Sequence, residues 1–145
     1  MPYYPPPSSG GGGPAPTPVE RERKVATCVV ESSGRDTPYV GRISLGRSYQ
    51  LLAIETDVPA RVRLYVSPAG QAADLDRPAG ATIALSNGVI LDFVTSLDRL
   101  AWPLTPIVNG SSLESPPRAD IPVTIQRTDQ VGPVTLTLTY FTLEA

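Results

Sequence analysis

Val134-Thr135-Leu136-Thr137-Leu138-Thr139-Tyr140 alternates without a break between threonine and an apolar or aromatic residue, and no other segment constrains the chain as strongly. A period of two is the pleat of a β-strand. One face of this strand carries Leu136, Leu138 and Tyr140 into a core, and the other holds the threonines in water. Arg61-Val62-Arg63-Leu64-Tyr65-Val66 repeats the pattern, which puts Val62, Leu64 and Val66 inside and both arginines in solvent. Further short strands are expected over residues 24–31, 40–45, 48–57, 89–95 and 121–127.

Turn signals separate these runs. Asn87-Gly88 is the dipeptide preferred in a type I′ hairpin turn, and Asp57-Val58-Pro59 and Gln130-Val131-Gly132-Pro133 break neighbouring runs. Residues 69–76 are alanine-rich and stop at Pro78-Ala79-Gly80, which predicts one or two helical turns inside a loop. Between Leu97 and Pro117, prolines interrupt any regular ladder, so only an edge strand over residues 106–108 and a long loop after it are expected. Trp102, beside Leu100, Leu104 and Ile107, is read as a core plug rather than a binding platform. The fold class is all-β: an antiparallel β-sandwich, jelly-roll-like, with one short helix.

The first eighteen residues cannot join that core. They hold Pro2, Pro5, Pro6, Pro7, Pro14, Pro16 and Pro18 and the run Gly10 to Gly13, a composition that predicts a disordered or extended N-terminal arm. Residues 1–24, including the charged junction Glu20-Arg21-Glu22-Arg23-Lys24, form the arm, and residues 25–145 the sandwich domain. A coil of that length has a root-mean-square reach of roughly 25 to 30 Å. At its far end Tyr3 and Tyr4 stand beside Pro5, Pro6 and Pro7, which makes these five residues the candidate partner-binding site.

The chemistry expected elsewhere is sparse. The chain has no histidine, so the commonest general base, triad partner and metal ligand is missing. Cys28 lies among Val25, Ala26, Val29 and Val30 as a small buried hydrophobe, and a lone cysteine excludes an internal disulfide. Asp74 and Asp76 lack the glycine and distal glutamate of a calcium loop and are read as surface helix carboxylates. No catalytic, cofactor or metal residue is assigned, and no enzyme is expected. A net charge of −2 with interspersed signs offers no stripe for a phosphate backbone, and no apolar run is long enough for a spanning helix. Nucleic acid and membrane are therefore not expected as partners. With no signal peptide in the sequence, synthesis in the cytoplasm is expected.

Several segments together resemble small accessory virion proteins of tailed bacteriophages. They are Arg61-Val62-Arg63-Leu64-Tyr65, Ala72-Ala73-Asp74, Arg77-Pro78-Ala79-Gly80, Glu114-Ser115-Pro116-Pro117, Ile121-Pro122-Val123-Thr124 and the strand from Val134 to Tyr140. The resemblance spans roughly residues 40–143 and leaves out the arm. It implies a β-sandwich module of the tail, fibre or baseplate region, synthesised in the host cytoplasm, with a structural or attachment role, other virion proteins as partners and no catalytic residue. A homo-oligomer is expected, with a trimer favoured by the fibre likeness alone. Two other readings stand beside it. One is a capsid decoration protein, and the other a carbohydrate-binding module using Trp102, Tyr39, Tyr49 and Tyr65 as stacking platforms.

Overall fold

The computed structural model describes Tyr3 and residues 22–145. Eight strands follow in chain order: β1 (Lys24–Ser33), β2 (Tyr39–Ser44), β3 (Ser48–Thr56), β4 (Ala60–Tyr65), β5 (Val89–Val94), β6 (Ala101–Ser111), β7 (Asp120–Arg127) and β8 (Gly132–Glu144). One helix, α1 (Pro68–Asp74), and a short 3-10 turn (Leu85–Asn87) lie between β4 and β5.

The chain doubles back between β4 and β5, so that each strand pairs antiparallel with its counterpart from the other half: β1 with β8, β2 with β7, β3 with β6 and β4 with β5. Lateral pairing of β8 with β3 and of β7 with β4 then completes two sheets, β1-β8-β3-β6 and β2-β7-β4-β5. That is the strand order of an eight-stranded jelly roll, a sandwich built from two Greek keys. The core lies between the sheets and runs from Cys28 in β1 to Tyr140 in β8. In β8 the alternation works as expected: Val134, Leu136 and Leu138 are wholly buried, while Thr135, Thr137 and Thr139 stand half-exposed on the outer face.

β4 departs from its sequence pattern. All six of its residues are buried, and Arg61 and Arg63 do not face water. The cause is tertiary: α1 packs over the outer face of β4 and β7, so this strand has a second layer above it. Ser67 starts the helix, its hydroxyl accepting from the Gly70 amide, and Pro68 sits in the first turn, where its missing N–H costs nothing.

Two further expectations need correction. Asn87-Gly88 is not a type I′ hairpin turn, which needs positive φ at both residues; no described residue other than glycine has positive φ, and Gly88 (φ 60°) instead ends the 3-10 turn before β5. A side chain there is doubly opposed, because an added Cβ would stand 2.2 Å from Val66 Cγ2. The edge strand also extends well beyond residues 106–108. β6 runs from Ala101 to Ser111 by setting Leu104–Ile107 opposite the single residue Leu52, a bulge that takes Pro106 out of the ladder and turns Leu104 into the core.

Every core residue among the described ones comes from the sandwich. Deleting residues 1–18 should therefore leave the thermal midpoint within a few degrees of the full chain in a circular dichroism melt. Loss of a cooperative transition would make the arm part of the fold.

Candidate partner-binding surfaces

The arm meets the domain at Glu22 and Arg23, directly before β1, an edge strand of the sheet β1-β8-β3-β6. Of the five arm residues singled out, Tyr3 is 81% exposed, whereas Tyr4, Pro5, Pro6 and Pro7 lie outside the described residues. The two outer faces of the sandwich differ sharply in chemistry.

On the face of β2-β7-β4-β5, β4 and β7 are covered by the chain's own helix through a buried ionic network. Arg61 is bidentate to Asp92, with Nε and Nη2 each donating at 2.9 Å, and its Nη1 donates to the Arg77 carbonyl at 2.8 Å. Arg77 links both carboxylates, from Nε to Asp74 Oδ1 and from Nη2 to Asp92 Oδ2, at 2.7 Å each. Arg63, with no exposed surface, donates to the Asp74 carbonyl at 2.9 Å and to Gln126 Oε1 at 2.7 Å, and the Tyr65 hydroxyl donates to Asp74 Oδ2 at 2.7 Å. Asp74 is thus no surface carboxylate; it is wholly buried, unlike the exposed Asp76. Burial pushes its carboxyl up, but hydrogen bonds from Arg77 and Tyr65 and the Arg77 charge outweigh this and hold it at about 2.

A cleft of about 910 Å³ opens beside this network, lined by Arg61, Arg77 and Gln126 together with Arg35, Asp36 and Asp76. The donors of the first three are already committed. Arg61 and Arg77 spend their N–H groups on Asp92, Asp74 and carbonyls, and Gln126 bridges Arg63 and the Arg35 carbonyl. The arrangement binds a helix to a sheet rather than presenting charge to a ligand. Among the described residues no group of three or more histidine, cysteine, aspartate or glutamate side chains stands together to hold a metal.

The aromatic platforms of the carbohydrate reading are not available. Tyr49 and Tyr65 have no exposed surface, and Tyr39 is half-buried against the core with its hydroxyl near Cys28. Trp102 packs against the core edge-on to Phe93, 5.8 Å between ring centroids, and the Arg99 guanidinium covers it at 3.7 Å.

Among the described residues no helix or loop packs over the outer face of β1-β8-β3-β6. Strand register sets two rows side by side across it: Val25, Thr139, Ala53, Pro103, and Thr27, Thr137, Glu55, Ala101. Glu55 is the one charge among these eight positions. Around the small side chains of Ala53 and Ala101, which lie diagonally across the β3–β6 pair, the face dips into a shallow depression of about 200 Å³. No family model, curated protein or solved structure matches the chain.

The surfaces were only partly visible in the sequence. The arm tip was singled out by composition alone, and four of its five residues lie outside the described ones. The ionic network was missed, although one signal pointed to it: Gly70, Gln71 and Asp74 fall on one side of a helix and are its buried residues, a polar stripe that only a polar strand face can receive.

Proposed function

We propose that this chain is a structural component of a tailed-phage virion, an accessory protein of the tail region (a fibre, fibre adaptor or baseplate-associated part) that docks through its N-terminal arm and its exposed sheet. The asymmetry of the two outer faces carries the reading. One face uses its charges internally to hold α1, and the other is broad, bare and poor in charge, with the arm rooted at its edge. A bare sheet and a free strand edge are surfaces that proteins either blunt or use for partners. The jelly roll recurs in particle-building proteins, although a fold by itself assigns no function.

The arm supplies the attachment. Tyr3 and Tyr4 each bring on the order of 150 to 250 Å² of surface to bury, and the flanking prolines lower the entropy lost on capture. Replacing both tyrosines with serine should leave the domain folded and cut the protein's incorporation into particles at least tenfold, measured by quantitative mass spectrometry of purified virions. Normal incorporation of the double variant would remove the arm from the docking mechanism.

A further inference from the structure

We infer that the depression on the bare face of β1-β8-β3-β6 receives the Tyr3-Tyr4-Pro5-Pro6-Pro7 tip of a second copy of this chain. The inference deepens the proposed docking role, resting on the arm as attachment element, and names the surface that takes it.

Size comes first. At about 200 Å³ the depression is below the roughly 300 to 1,000 Å³ of small-molecule sites and on the scale of one aromatic side chain. Its chemistry is that of a tyrosine-proline peptide. Ala53, Ala101 and Pro103 offer apolar contact, and the methyl groups of Thr137 and Thr139 flank them. The Glu55 carboxylate, which has no hydrogen-bond partner among the described residues, stands in the same row as an acceptor for a phenol O–H. The arm has the matching composition and carries no charged side chain before Glu20.

Chain direction and length put the face of a neighbouring copy within reach. Lys24 pairs with Tyr140, and the depression lies at Thr137 and Thr139, further along β1 in the direction of Val25 and Thr27. The two described residues before Lys24, Glu22 and Arg23, lie beyond the end of the β1–β8 ladder, and an arm that kept this course would reach a neighbouring copy. Residues 3–22 span up to roughly 60 Å when extended, enough to cross to an adjacent sandwich. An arm-to-face contact closes either as a reciprocal exchange between two copies or as a ring, both cyclic homo-oligomers.

The test is a complementation experiment on full-length chains by sedimentation velocity. Wild type should associate with rising concentration. Tyr3→Ser/Tyr4→Ser, which lacks the tip, and Ala53→Arg, which fills the depression, should each raise the concentration needed for association at least tenfold while keeping wild-type circular dichroism. Mixing the two variants should restore association, because the intact arm of one meets the intact face of the other. Glu55→Lys, at an exposed position, serves as the second face variant should Ala53→Arg fold poorly. A wild-type chain that stays monomeric, a mixture that stays dissociated, or face variants that associate like wild type would each overturn the inference. Virion incorporation of the tyrosine variant is read separately, so the docking role can survive that failure.

Discussion

Replacing Asp74 with alanine should cost about 3 to 5 kcal/mol of folding stability, whereas the same change at Asp76, two residues on, should stay within about 0.5 kcal/mol. Removing the Asp74 carboxylate strips Arg77 of two hydrogen bonds, leaves the Tyr65 hydroxyl without its acceptor, and takes away the negative charge 3.4 Å from Arg63 Nη1. Arg63 has no exposed surface through which water could replace that charge, and the network already carries three arginines against two aspartates. An uncompensated buried cation is the expensive outcome. Asp76 is exposed and has no ion-pair partner among the described residues. Urea titration of the two variants measures the contrast.

The same residue sets an acid limb. Its folded pKa of about 2 lies below the ordinary aspartate value near 4, so its contribution is complete above about pH 4 and is lost as pH falls toward 2. Hydrogen bonds from arginine also hold Asp92 and Glu114 down against burial, so part of the limb should remain in Asp74→Ala. A variant with the full wild-type loss of stability between pH 4 and 2 would show that Asp74 is not linked to folding.

Leu138→Ala should cost about 2 to 4 kcal/mol and Thr137→Ala well under 1 kcal/mol. Adjacent in β8, they face opposite ways: Leu138 is wholly buried opposite Ile54 and Ala26, and Thr137 lies on the bare face between Thr27 and Glu55. At concentrations where the chain is monomeric, comparable losses at the two positions would mean that the threonine face is covered rather than bare. Denaturant curves at two protein concentrations separate a folding effect from an association effect.

How far the sequence reached depended on the range of the interaction that decides each element. β8 was legible because its alternation is local and no described residue covers its outer face. β4 carries the same alternation and was misread for solvent exposure, since what covers Arg61 and Arg63 is a helix whose docking no local pattern reports. The prolines of β6 pointed away from a long strand, yet an edge position and a bulge accommodate Pro103 and Pro106 without breaking the sheet. Asn87-Gly88 signalled a turn but not its type, because β4 and β5 are joined through α1 rather than by a tight loop. The depression was out of reach of any local reading. Ala53, Pro103 and Thr139 come from three strands far apart in sequence and become neighbours only through register.

The proposed place of the chain in the virion is tested by locating it in purified particles. Antibody-gold labelling in the electron microscope, with copy number from quantitative mass spectrometry, should find the chain at the tail in a small fixed number per particle. Label spread over the head in proportion to its lattice would move the protein to the capsid, and particles that lack the chain altogether, while it accumulates unassembled in the lysate, would contradict the account.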